Sequence, residues 1–231
     1  MRLQVFLSKA GISSRRSASD FIKSGRISVN EKKVFEPSYK VYPGKDKVSL
    51  DGNIVLPLEN LYIMLNKPKG VTTTKKDRFA EKTVMDLLPR DLRHVNPAGR
   101  LDKDTTGLLL LTNDGELINK LTHPRFNIDK LYEVRIDRHL SDKDRVRIEK
   151  GVDIDGKETF PCDISVKDEY LLDIRVHEGR KRQIKRMFAA LGYKVIELKR
   201  VKEAFLSLEG LREGEWRYLT DQEASRLKKG I

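Results

Sequence analysis

Residues 99–107, Gly-Arg-Leu-Asp-Lys-Asp-Thr-Thr-Gly, run directly into four leucines, Leu108 to Leu111. Pro97-Ala98 precedes this stretch and the turn signal Asn113-Asp114-Gly115 follows it. A short apolar run bounded by turn residues predicts a buried strand. Such a strand needs hydrogen-bonding neighbours and apolar cover, so the chain has to build a layered core around it. The loop that feeds it carries two carboxylates, Asp102 and Asp104, and the cation Arg100. That density of charge beside a buried strand points to chemistry or binding at the loop.

The chain has 231 residues and a net charge of +12, which favours a polyanionic partner, most often nucleic acid. Hydrophobic residues make up 38% of it, enough for a folded core. A single cysteine, Cys162, excludes an intramolecular disulfide and a thiolate zinc cage. His94, His123, His139 and His177 are scattered without ligand spacing. No apolar run is long enough for a membrane span, and the first residues lack a signal-peptide core. The expectation is a monomer in the cytoplasm, without metal or cofactor.

Residues 1–58 read as a small separate module. Leu3, Phe6, Leu7 and Ala10 recur at helical spacing, and Gly11 ends that helix. Ser14 caps a second helix with Ala18, Phe21 and Ile22 on its apolar face, and Gly25 stops it. Short strands are predicted over 27–29, 33–35 and 48–50, with a turn over 30–32. Arg15 and Arg16 occupy the first turn of the second helix, where cations oppose the helix dipole. Phosphate binding accounts for them better than helix stability does. Arg2-Leu3, the run from Gly11 to Arg16 and the run from Ile22 to Asn30 together resemble an S4 RNA-binding domain. The resemblance implies a basic surface for structured RNA, here Arg2, Lys9, Arg15, Arg16, Lys23 and Arg26. Gln4-Val5 departs from the Asp-Lys often found there in that family, which removes one basic contact.

Residues 51–60 are rich in turn and polar types and read as a linker. In residues 61–231, strands are predicted over 61–65, 108–112 and 130–136, and around residues 154, 162–166, 171–176, 195–198 and 205–208. Helices are predicted over 83–88, 116–121 and 141–151. Another is predicted from Arg180 to Gly192, with Ile184, Met187 and Phe188 on one face and cations crowding its start. Thr220-Asp221-Gln222-Glu223 is a capping box that opens a C-terminal helix.

Four segments of this second part, taken together, resemble an RNA pseudouridine synthase of the RsuA/RluB branch, which joins an S4 module to a catalytic domain. They are Asn66-Lys67-Pro68-Lys69-Gly70-Val71, residues 99–115, Lys130-Leu131-Tyr132, and Glu178-Gly179-Arg180 through Phe188. The resemblance implies an α+β fold around a mostly antiparallel mixed sheet. It also implies isomerisation of a uridine in ribosomal RNA, with the wording from Gln183 to Ala190 leaning toward the 16S small-subunit type over 23S.

The resemblance makes Asp102 the essential carboxylate, either as nucleophile or in proton removal at the ribose. Lys185 becomes the cation that keeps it charged, where many relatives carry Arg. Tyr132 would stack on the uracil, Ile184 pack against it, and Arg100 enter the space left by the flipped base. Arg180 is expected at the substrate, and Lys67, Arg182 and Arg186 on RNA.

Spacing alone leaves Asp102 and Asp104 equivalent; the resemblance picks Asp102 and gives Asp104 a supporting role through the Thr105 or Thr106 hydroxyl. Two other readings stand beside this one. Asp102-Lys103-Asp104 is also a D-x-D pattern of metal-dependent sugar-nucleotide transferases, a short and weak signal, and a non-catalytic RNA-binding assembly factor would keep the same fold.

Overall fold

The structure, a computed structural model, describes residues 1–75 and 77–229, without the side chain of Arg15. The chain divides into two compact units, Met1–Asn60 and Leu61–Ile231. In the first unit, α1 (Leu3–Lys9) and α2 (Arg15–Lys23) precede β1 (Ile27–Val29), β2 (Lys32–Lys33), β3 (Val48–Leu50) and β4 (Asn53–Val55). Ser14 Oγ accepts from the Ser17 amide at 3.2 Å and caps α2 as expected. Leu3, Phe6, Leu7, Ala18 and Ile22 of the two helices pack on Ile27 and Val48 of the sheet, whose order is β2-β1-β3-β4.

Two readings of this unit are corrected. Asn30 and Glu31 both take positive φ, 49° and 67°, and form a two-residue hairpin turn. Lys32 therefore already pairs with Val29, and the strand expected over 33–35 shrinks to Lys32–Lys33. Asp51 and Gly52 do the same, with φ of 49° and 85°. The chain folds straight back, so the first part of the expected linker is β4, paired with β3.

The second unit contains β5 (Tyr62–Lys67), β6 (Asn96–Pro97), β7 (Thr106–Thr112), α3 (Gly115–Thr122), β8 (Lys130–Ile136), α4 (Asp142–Lys150), β9 (Asp163–Val166) and β10 (Leu171–Val176). It continues with α5 (Gln183–Ala190), β11 (Val195–Glu203), β12 (Leu206–Ser207), β13 (Trp216–Tyr218) and α6 (Asp221–Lys229). The main sheet runs β13-β5-β7-β11-β8-β10-β9, with β6 on β7 and β12 on β11. Among the described strands β7–β11 is the parallel pair and the others are antiparallel.

The leucine run lies in β7, flanked by β5 and β11. Side chains alternate across a strand, so its two faces feed two cores. Leu109 and Leu111 pack with Val84, Met85 and Val95, while Leu108 and Leu110 pack with Leu117, Leu121 and Leu227. A third cluster lies between α4, α5 and the β8–β10 half of the sheet, around Val134, Ile148, Ile174 and Phe188.

Ser141 caps α4, and the Thr220–Glu223 capping box opens α6, both as the sequence predicts. The helix expected over 83–88 is a single 3-10 turn, Val84–Leu87, closed by a Thr83–Asp86 capping box before Pro89 ends it. Strands β6 and β13, of two and three residues, are too short to establish a period and lie outside the strands the sequence predicts. No helix among the described residues is long and apolar enough to cross a membrane.

Candidate active site

The loop that carries Asp102 and Asp104 is held through its backbone and through Leu101. Leu101 is buried in the core under it, 5% exposed, and anchors the backbone on either side. Thr73 Oγ1 donates to the Leu101 carbonyl at 2.7 Å and accepts from the Leu101 amide at 3.3 Å. The Gly70 amide donates to the Lys103 carbonyl at 2.8 Å, and the Thr105 amide closes a turn onto the Asp102 carbonyl at 3.0 Å. Asp102 therefore stands on a backbone fixed at residues 101, 103 and 105.

Its half-buried side chain lines a cleft of about 500 Å³. Tyr132, Ile184 and Leu198 supply apolar surface there, and exposed Arg100 lies at its edge. Arg100 and Tyr132 also line an adjoining cavity of about 270 Å³. The structure thus brings together Arg100, Asp102, Tyr132 and Ile184 from a loop, a strand and a helix distant in sequence. Burial pushes the Tyr132 phenol above its usual range, with the nearby Arg200 charge acting the other way.

The far wall is a hydrogen-bonded turn made by the Glu178-Gly179-Arg180 and Gln183 motif itself. Buried Glu178 accepts from Gln183 Nε2 at 2.7 Å, from the Phe160 amide at 2.9 Å and from Arg180 Nε at 3.2 Å. Gln183 Oε1 accepts from the Arg180 amide at 2.9 Å. The Arg180 guanidinium also donates to the carbonyls of Lys157, at 2.8 Å, and Glu158. This corrects the expectation that Arg180 binds substrate: it lines the cleft, but its donors are engaged in building the wall. The cations expected to crowd a helix start are also displaced, because α5 begins at Gln183 and Arg182, with φ of 51°, lies before it. Arg180 to Arg182 thus belong to a turn, and Lys185 and Arg186 alone face the helix dipole.

Lys185 does not pair with Asp102. Its Nζ lies 2.6 Å from Asp104 Oδ1, and Arg182 approaches the same oxygen at 3.6 Å. Among the described residues no cation stands within 4.0 Å of the Asp102 carboxylate. Burial acts to raise the Asp104 carboxyl, but the Lys185 hydrogen bond and charge outweigh it and hold it below the usual range. Asp104 is thus fixed by two cations rather than by Thr105, whose hydroxyl is buried without a hydrogen-bond partner. The two carboxylates of the D-x-D pattern diverge in role, Asp102 in the cleft and Asp104 on α5.

With this geometry in place, comparison with known proteins identifies the framework. Residues 61–190 match the RNA pseudouridylate synthase family and residues 1–47 the S4 domain. The chain belongs to the RNA pseudouridylate synthase family. It is 41% identical to "Ribosomal large subunit pseudouridine synthase B" of Bacillus subtilis, over 98% of this chain and 95% of that one. It is 36% identical to "Dual-specificity RNA pseudouridine synthase RluF" of Escherichia coli, over 100% of this chain and 79% of the relative. A solved structure, "Crystal structure of pseudouridylate synthase", superposes with a TM-score of 0.72 at 31% identity and covers 98% of this chain and 99% of that one.

In this pseudouridine synthase the S4 unit leaves Arg2, Arg16 and Lys23 exposed and Lys9 half-buried. Arg26 is exposed but its guanidinium grips Asp51, with Nε 3.0 Å from Oδ2. The expected phosphate contact of Arg15 lies outside the described side chains. In the catalytic unit Arg186 pairs with Asp155.

Lys67 corrects another expectation of the sequence. It is fully buried, and its Nζ donates to the carbonyls of Val71 at 2.8 Å and Pro68 at 3.0 Å. It therefore ties the end of β5 to the turn beneath the Asp102 loop and offers nothing to RNA. Burial lowers its ammonium to about 8 despite the opposing pull of Asp104, Glu213 and Asp102. Between about pH 8 and pH 10.5 the unfolded lysine holds a proton that the folded one has lost, so stability rises with pH across that window. We expect the urea midpoint of the wild-type synthase to gain on that of Lys67→Met from pH 7.5 to pH 10. A constant gap would mean that the lysine stays charged when folded.

Proposed function

We propose that this synthase converts one uridine of large-subunit ribosomal RNA to pseudouridine, with Asp102 as the reacting carboxylate. The observation that carries this reading is the placement of Asp102 on a pinned loop, inside a cleft faced by Tyr132 and Ile184. Isomerisation breaks the N1–C1′ bond, turns the base and joins C5 to C1′, while the C5 hydrogen leaves as a proton and the freed N1 takes one up. Asp102 acts either as a nucleophile on the base or the sugar, or in removing a proton from the ribose. Tyr132 and Ile184 hold the detached uracil by stacking and packing, which keeps it in the cleft while it turns.

A stacked uridine is inaccessible, so the base flips out at a cost of a few kcal/mol. Arg100 is exposed and lines both cavities, which supports its entering the vacated stack. Lys185 and Arg182, anchored by Asp104, add positive charge near the loop without a direct pair to Asp102. Arg2, Lys9, Arg16 and Lys23 of the S4 unit bind phosphate and hold the RNA.

The name of the similar B. subtilis enzyme favours a large-subunit target. The wording from Gln183 to Ala190 favours the second reading, a small-subunit target. Mapping pseudouridine in both rRNAs of a deletion strain tests the choice. We expect one uridine of 23S rRNA to stay unmodified, with modification restored by the wild-type gene. A missing site in 16S rRNA instead moves the target to the small subunit. No missing site in either rRNA removes the reading.

A further inference from the structure

Phe79 is 97% exposed, more than any other large apolar side chain among the described residues. Single exposed apolar residues are common and by themselves carry nothing. Phe79, however, stands on a loop that is closed at its base and tied to the site. The Thr72 amide donates to the Lys82 carbonyl and the Val84 amide to the Thr72 carbonyl, both at 3.0 Å, which closes the base of the loop. Thr73 holds Leu101, next to Asp102, and Glu81 reaches Lys103 at 3.9 Å on the other side of Asp102. The tip has its own fixed turn, in which the Phe79 amide donates to Asp77 Oδ1 at 2.9 Å.

The charges around Phe79 are unequal in what they are free to do. Asp77 binds backbone and Glu81 pairs with Lys103. Arg78 and Lys82 are exposed and, among the described residues, have no carboxylate within 4.0 Å. An aromatic ring with both faces open, between free cations and beside a nucleic-acid cleft, is the combination that binds unpaired nucleotides: cations track the backbone and the ring stacks on a base. A protein or lipid partner would call for a contiguous apolar patch, whereas this ring stands alone among charges.

Resting on the reading that the Asp102 cleft acts on RNA, we propose that Phe79 is a stacking platform for an unpaired base of the substrate RNA. This base lies outside the catalytic cleft and is distinct from the uridine that Tyr132 holds. Phe79 then contributes to substrate recognition, and Arg78 and Lys82 hold the neighbouring phosphates.

The test uses the full-length chain and unmodified transcripts of 16S and 23S rRNA, followed by filter binding and by tritium release from uridine labelled at C5. On the transcript that the wild type binds more tightly, Phe79→Ala should raise Kd and KM by about 5- to 100-fold and leave kcat within about twofold. Phe79→Trp should bind as the wild type does, while Phe79→Leu, apolar but without a π face, should match alanine. Since the side chain is solvent-exposed, all three variants should keep the wild-type melting temperature. Unchanged affinity in the alanine variant, or full rescue by leucine, overturns the platform. Failure of the underlying reading shows differently, as a wild-type protein that releases no tritium from either transcript.

Discussion

Replacing Asp102 by asparagine is expected to abolish pseudouridine formation while the protein still binds its RNA. Asparagine keeps the size of the side chain and the loop's backbone anchors at Leu101, Lys103 and Thr105, so the cleft persists. The group removed is the carboxylate to which the proposed function assigns the reaction. Loss of a nucleophile lowers kcat by about 10⁴-fold or more, whereas binding that rests on other residues survives. Tritium release from uridine labelled at C5 measures the reaction, and filter binding measures affinity, expected to stay within about threefold of wild type. Asp104→Asn is the companion variant. It loses the ionic hold on Lys185 and Arg182, so activity should fall without vanishing. Substantial tritium release by Asp102→Asn would move the reacting carboxylate elsewhere, and the same pair of variants would show whether Asp104 takes the role.

The second large effect is on folding. Gly107 sits where β7 runs parallel to β11, directly opposite Arg200. A Cβ there would meet the Arg200 carbonyl oxygen at 2.2 Å and its amide nitrogen at 2.6 Å, and φ is +109°, a region that side chains disfavour. Backbone cannot move aside as a flexible side chain can. Gly107→Ala should therefore cost about 3 kcal/mol or more, combining strain with a forced opening of the strand pair.

The cost falls beside the site. Buried Arg200 of β11, whose Nε donates to the Leu108 carbonyl at 2.7 Å and whose guanidinium meets Glu203 at 3.3 Å, pairs with Tyr132 of β8. Opening the β7–β11 pair would shift Tyr132 against the Asp102 loop. A urea midpoint equal to wild type would show that the strands can separate freely here.

Much of the framework was legible in the chain because it depends on neighbours in sequence. Ser14, Ser141 and the Thr220–Glu223 box cap helices through residues three positions away, and the leucine run marks β7 by composition. The chain at 53–55 was misread because polar turn residues surround it; a tight turn with two positive φ values makes it a strand. Within the site, Asp102, Tyr132, Ile184 and Arg100 lie in recognisable motifs, and the cleft gathers all four. Lys67 and Arg180 lie in the same motifs, yet one is buried under the loop and the other is engaged in the wall. A motif specifies residue type at a position and leaves open which neighbour, far along the chain, will use it.

By itself, then, the sequence determined the two-part organisation around an S4-like module, the local caps and turns, the buried strand and the carboxylate-bearing loop before it. These follow from short-range hydrogen bonding and from the periodicity of apolar residues. The tertiary structure alone decided which charges remain free. It placed Lys185 on Asp104 instead of Asp102, spent Arg180 on Glu178 and the 157–158 carbonyls, and enclosed Lys67 under the loop. The physical reason is that a charged side chain's role depends on its desolvation and its nearest opposite charge, both set by segments brought together from distant parts of the chain.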